Sequence, residues 1–213
     1  ETSKFSVKGS DLITLLGKHK YKPEVILEND EVGIINGLAW TRVGGEIMQL
    51  EIASMQGTGK VELTGSLGDV MKESAHAAIS YVRANAEKYN IDPDFYKNTD
   101  IHIHATEAAV PKDGPSAGVT ITTGLISALT GRSVKADIAM TGEITIRGRV
   151  LPIGGLKEKS MAAYKNGVKK VFIPFDNQKD LEEVDPVVKE NVVFVYYLGV
   201  NHDIINCITS YFF

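Results

Sequence analysis

From residue 67 onward the chain alternates helical stretches with short apolar runs of strand character, and this alternation most restricts its fold. Leu67–Tyr89 places Val70, Met71, Ala75, Ala78 and Val82 near the 3.6-residue period of a helix. Ser116–Gly131 reads as an apolar helix that starts at the serine, and Gly154-Gly155 opens another over Leu156–Asn166. Between them, Ile101–Thr106, Ala136–Met140, Glu143–Leu151, Lys170–Pro174 and Asn191–Tyr197 read as strands. Asn177–Leu181 and Asn201–Tyr211 read as further helices. Upstream, Val32–Val43 and Glu46–Ser54 have β texture, with Gly44-Gly45 as a break between them. Gly57-Thr58-Gly59-Lys60 reads as a hairpin turn into Val61–Thr64. The pattern predicts an α+β or α/β-like domain built on a mixed sheet.

A chain of 213 residues suits one domain with a short appendage. Ser10-Asp11 is placed to cap a short helix through Leu12, Leu15 and Leu16, stopped by Gly17, and Lys18–Pro23 reads as an exposed basic linker. Residues 1–22 are therefore expected to be the tail of a preceding module, and residues 23–213 the domain itself. A hydrophobic content of 43% argues against disorder. No apolar run reaches the roughly 20 residues of a membrane helix. Glu1–Ser10 is too polar for a signal peptide, and a start at Glu rather than Met suggests a fragment or a processed chain. The net charge of -4 does not suggest nucleic-acid binding. Cys207, the single cysteine, reads as a small buried hydrophobe within Ile204–Ile208.

Two loops carry candidate chemistry. In Pro111-Lys112-Asp113-Gly114-Pro115-Ser116-Ala117-Gly118, a serine sits at a helix N-terminus, where free amides can hold an oxyanion. The plainer alternative is that Ser116 only caps the helix. In Leu151–Lys159, a helical wheel puts Lys159 with Leu156 and Ala163, and Lys157 with Met161 and Tyr164. The wheel favours Lys159 as the inward lysine without deciding it. A buried lysine loses charge readily, and one shifted down by about 3 pH units can take a proton from a serine hydroxyl.

His102 and His104 share one strand face, as two metal ligands would, but no third ligand follows at useful spacing. A structural role, or one lining the site near the Ser116 loop, suits them better. A histidine-based triad would need one of them beside Ser116 together with Asp113. Gly57–Lys60 lacks the P-loop pattern, since Ser54 and Val61 stand where Gly and Ser/Thr are required. No ATP site is visible elsewhere. Asp113 and Glu143 read as salt-bridged loop residues, or as groups that position Lys159 or gate the site.

Pro111–Gly118 and Pro152–Lys159 together resemble the proteolytic domain of the Lon family of ATP-dependent proteases. Gly65–Ala75 (GSLGDVMKESA), Ile101–His104 (IHIH), Met140–Glu143 (MTGE) and Gly148–Gly155 support the match. Val171–Leu181 (VFIPFDNQKDL) looks like the bacterial members, and the similarity runs from about residue 32 to 208. The resemblance implies a Ser-Lys dyad with Ser116 as nucleophile and Lys159 as general base, Thr141 orienting the lysine. The Ser116 amide, with help from Gly114–Pro115 or Gly154–Gly155, would form the oxyanion site, although Pro115 has no N–H to give. It further implies an intact bacterial, cytoplasmic homohexamer that degrades unfolded, damaged or regulatory proteins, with ATP and Mg²⁺ bound in a separate ATPase module. No cofactor or metal is expected in this domain, and no membrane or DNA partner. The rival is a non-catalytic Lon-like scaffold of the kind found in DNA-recombination proteins, which typically lacks an intact dyad. A Ser-Lys amidase acting on small amides is a further alternative.

Overall fold

Strand alternation sorts the apolar side chains onto two faces of one sheet, and helices cover both. The computed structural model describes residues 6–17, 29–41, 44–106 and 112–200. Within them, helix α1 (Leu12–Leu16) follows a single turn at Gly9–Asp11 and ends at Gly17, whose N–H donates to Ile13 O. Four strands follow: β1 (Glu31–Val32), β2 (Ile34–Thr41), β3 (Gly44–Gln56) and β4 (Val61–Thr64). Helix α2 (Asp69–Ala84), the short α3 (Phe95–Asn98), β5 (Thr99–Ala105) and helix α4 (Gly118–Thr130) come next. Four small strands then lead to α5: β6 (Ser133–Val134), β7 (Ile138–Met140), β8 (Glu143–Ile144) and β9 (Val150–Leu151). Helix α5 (Leu156–Lys165), β10 (Lys170–Pro174), α6 (Pro186–Asn191) and β11 (Val193–Tyr197) complete the described fold.

The main sheet has seven strands in the order β11-β10-β7-β2-β3-β5-β4. The half from β11 to β2 is parallel, β2–β3 and β3–β5 are antiparallel, and β5–β4 is parallel. Mixed pairing of this kind, with helices on both faces, is the α+β architecture expected from the sequence. Ile35, Met48, Leu50, Ile52, Ile103, Met140 and Phe172 pack on the side of α2 and α4. Leu38, Ile47, Ala139, Val171 and Ile173 pack on the other side with α5 and α6. The period-2 pattern of each strand makes this division, because neighbouring side chains leave the sheet on opposite faces. Helix α4 is buried all round from Gly118 to Ser127, as an apolar helix must be. The hydroxyls of its buried Thr120, Thr122 and Thr123 are satisfied by the carbonyls of Met140, Gly118 and Val119.

Several boundaries differ from the sequence expectation. Gly44-Gly45 does not break the β texture but opens β3, whose Gly44–Glu51 stretch pairs with β2. The Gly57–Lys60 turn is not a hairpin turn, since β5 lies between β3 and β4. The Asp100 carboxylate holds that turn by accepting from the Thr58 and Lys60 N–H groups. The helix expected to reach Tyr89 ends at Ala84, and Val70 is exposed while Ser74 and Tyr81 join the buried face. Glu143–Leu151 is two short paired strands rather than one. The helix expected at Asn177–Leu181 is a longer 3-10 segment, Phe175–Glu183. Helix α6 was not anticipated, although Asp185-Pro186 signals it: the aspartate accepts from Val187 N–H and the proline takes the first turn. The readings at Lys18–Pro23, Asn201–Tyr211 and Cys207 lie outside the described residues.

Candidate active site

Ser116 lies in a single 3-10 turn, Pro115–Ala117, ahead of α4 rather than at the first residue of that helix. Two sets of bonds hold the turn. Behind it, Gly142 N–H donates to Ser116 O at 2.8 Å and Val119 N–H to Gly142 O at 3.0 Å, lacing it to the end of β7. Ahead of it, Asp113 Oδ1 accepts from its neighbour Gly114 N–H at 3.0 Å and from Met71 N–H in the first turn of α2 at 3.2 Å. The loop is thus docked on a helix N-terminus, where four amides lack intrahelical acceptors.

Lys159 reaches this turn from α5. Leu156, Lys159, Ser160 and Ala163 form the inward face of the helix, and Lys157 faces solvent. Lys159 is only 1% exposed. Its Nζ lies 3.1 Å from Ser116 Oγ and 3.0 Å from Thr141 Oγ1. Burial pushes its pKa down from 10.5 to about 8, because a charged ammonium is poorly solvated there. Thr141 is fully buried, with its N–H on Phe172 O and its own C=O accepting from Tyr197 OH at 2.6 Å. Both partners come from the parallel half of the sheet, so the lysine's hydroxyl neighbour is fixed by the core.

Ser116 and Lys159 open into a cleft of about 270 Å³. Trp40, Met48, Met71 and Ala117 give it apolar walls, and Pro152–Gly154 forms a further wall. Trp40 is 54% exposed and lies against Gly155, where a Cβ would come within 2.6 Å of the indole. Gly155 also holds φ 71°, a region glycine enters without strain, so it caps α5 at the one place where the chain must turn tightly under the ring.

The other sequence candidates fall in different places. Asp113 and Gly114 line the cleft, but Asp113 makes main-chain hydrogen bonds instead of the expected salt bridge. Glu143 begins β8 opposite Leu151; it too forms no ion pair among the described residues, and it does not line the cleft. Gly114 N–H is taken by Asp113, which removes it as an oxyanion donor. The Ser116 N–H, at the second position of its turn, has no intrahelical acceptor; of Gly154 and Gly155, only Gly154 lines the cleft. His102 and His104 do not line the cleft. Both rings hydrogen-bond Thr64 Oγ1 at 2.8 Å, on the face of β5 opposite the buried Ile101 and Ile103. Among the described residues no three His, Cys, Asp or Glu side chains converge as metal ligands. Trp40, Met48, Met71, Tyr197 and Asn177 were missed by sequence reasoning. Of these only Trp40, the single tryptophan, carried a usable signal.

A layered α+β domain that sets a serine beside a buried lysine of lowered pKa at the floor of a cleft defines a serine hydrolase. The chain belongs to the family of the Lon protease (S16) C-terminal proteolytic domain, whose model matches residues 6–209. It is 54% identical over 196 residues to the Lon protease of Finegoldia magna, covering 92% of this chain and 25% of that protein. It is 53% identical over 195 residues to the Lon protease of Bacillus thuringiensis, with the same coverage. With the Lon protease of Clostridioides difficile it shares 54% identity over 189 residues, 89% of this chain and 24% of that one. The chain thus spans about a quarter of the length of the curated relatives it matches. Among the described residues no helix is long and apolar enough to cross a membrane.

Proposed function

We propose that this domain hydrolyses peptide bonds through an acyl-enzyme on Ser116. The observation that carries the reading is the buried Lys159 Nζ 3.1 Å from Ser116 Oγ at the floor of an open cleft. Neutral Lys159 takes the hydroxyl proton as Ser116 Oγ attacks the scissile carbonyl. The resulting ammonium is held by Thr141 Oγ1 and returns the proton to the leaving amine. A water then attacks the ester, giving its proton to Lys159, and the acid product leaves as Ser116 regains its hydrogen. The Ser116 N–H, at the start of its turn, serves as an oxyanion donor. Substrate main chain can be received along β2, which β7 pairs only at Asn36 and Gly37, leaving Ala39 at the cleft edge. The walls of Trp40, Met48 and Met71 suit an apolar side chain next to the cut bond.

The relatives are named Lon proteases, which supports placing the domain within a longer ATP-driven protease that cuts unfolded, damaged or regulatory proteins as a cytoplasmic homohexamer. ATP and Mg²⁺ would be bound outside residues 1–213. The Thr58 and Lys60 amides at Gly57–Lys60 are already committed to the Asp100 carboxylate and cannot cradle a phosphate.

The test is covalent labelling of the full-length protein with ATP by a serine-directed phosphonylating reagent, read by peptide mass spectrometry. Labelling is expected at Ser116, lost in Lys159→Ala and retained in Lys157→Ala. Its rate, like kcat/KM for a peptide, is expected to climb with pH and level off above about 8, as Lys159 loses its proton. Labelling elsewhere, or labelling of Ser116 that survives Lys159→Ala unchanged, overturns the assignment.

A further inference from the structure

We propose that Asn177 is a positioning residue for peptide substrate, acting through the Pro152–Gly154 wall of the cleft; this rests on the peptidase reading above. Asn177 is 1% exposed, in the 3-10 segment after β10. Its Oδ1 accepts from Ile153 N–H at 2.9 Å and its Nδ2 donates to Ile153 O at 2.8 Å. The amide so mimics a neighbouring β-strand, meeting both main-chain groups of one residue. A second Nδ2 bond, to Asp180 Oδ2 at 2.6 Å, fixes which way the amide faces.

The consequence appears on the opposite edge of the segment. In an extended chain the N–H and C=O of one residue point to one side and those of its neighbours to the other. With Ile153 turned to Asn177, the Pro152 C=O and Gly154 N–H turn away from it. Pro152 and Gly154 are both exposed and both line the cleft. At Gly154 no atom lies within 4 Å of the place a Cβ would occupy, so another main chain can approach closely. Asn177 therefore presents a short, rigid acceptor–donor edge to an extended peptide, facing the same cleft as Ala39 of β2. Lys159 is held separately by Ser116 and Thr141, so the clamp acts on substrate position and not on the proton transfer.

The experiment is steady-state cleavage of a fluorogenic peptide by the full-length protein with ATP, comparing wild type with Asn177→Ala and Asp180→Ala. Asn177→Ala is expected to raise KM about tenfold or more with kcat within about threefold. The pH midpoint of kcat/KM should stay near its wild-type value, and phosphonylation of Ser116 by a small reagent should stay within about twofold. Asp180→Ala, which leaves the amide in place but free to turn, should shift KM in the same direction by less, and it carries the test if Asn177→Ala does not fold. An unchanged KM, or a parallel fall in kcat and labelling rate, overturns the inference. Failure of the wild type to label at Ser116 would instead overturn the peptidase reading itself.

Discussion

Lys159→Met is expected to abolish turnover and, at neutral pH, to stabilise the fold. Loss of the base should lower kcat by at least about 10³-fold, since a serine hydroxyl without a partner is a poor nucleophile at pH 7. The stability effect follows from burial. A pKa of about 8 in the folded chain against 10.5 unfolded corresponds to about 3 kcal/mol of destabilisation. Between those two values the unfolded chain carries a proton that the folded one lacks, so wild-type stability rises with pH across the interval. Below about pH 8 the full penalty stands, and above about 10.5 it is gone. Methionine fills similar volume without a charge. The Ser116 and Thr141 hydroxyls lose a partner, which offsets roughly 1 kcal/mol. The net gain at pH 7 should be about 1–3 kcal/mol, raising Tm by several degrees. Urea unfolding at pH 7 and pH 10, followed through Trp40, measures it. A methionine variant equally destabilised at both pH values would show that Lys159 carries no buried charge penalty.

That conflict between stability and chemistry explains what the sequence could reveal. A lysine on the inward stripe of α5, level with Leu156 and Ala163, breaks the apolar pattern of its helix, and the break is visible from the helical period alone. Local periodicity likewise placed Lys170–Pro174 at its observed bounds. The position of β5 between β3 and β4 was not legible, because alternation says which face a side chain takes and not which strand lies alongside. The hairpin expected at Gly57–Lys60 failed for that reason. Asp113 was legible as a residue of the site loop, but its bond to Met71 N–H crosses 42 residues of sequence and no local pattern announces it. Asn177 was hidden in the same way. Its partner Ile153 lies 24 residues upstream, and an asparagine in a polar segment looks like any surface turn residue.

Gly45→Ala is expected to cripple the site without touching any reacting group. Gly45 opens β3 against the first turn of α5. A Cβ there would lie 2.0 Å from Glu158 O, 2.4 Å from its carbonyl carbon and 3.0 Å from Lys159 N. These are backbone atoms, so no rotamer change relieves the clash, and strand and helix must separate by about 1 Å to restore ordinary contact. Overpacking of this kind costs about 1–3 kcal/mol. The larger effect falls on turnover, because the helix turn that moves is the one carrying Lys159. Its Nζ sits at hydrogen-bond distance from both Ser116 Oγ and Thr141 Oγ1, and a shift of about 1 Å cannot preserve both contacts. Misplacement on that scale lowers rates by about 10²-fold. The kcat of the variant and its Ser116 phosphonylation rate should therefore fall together. This distinguishes it from Asn177→Ala, where KM moves and the reactivity of Ser116 does not. Turnover within about twofold of wild type would mean that α5 can slide on β3 without moving the lysine. In that event the dyad would be held by the Ser116 and Thr141 contacts alone, and not by the packing of the sheet beneath them.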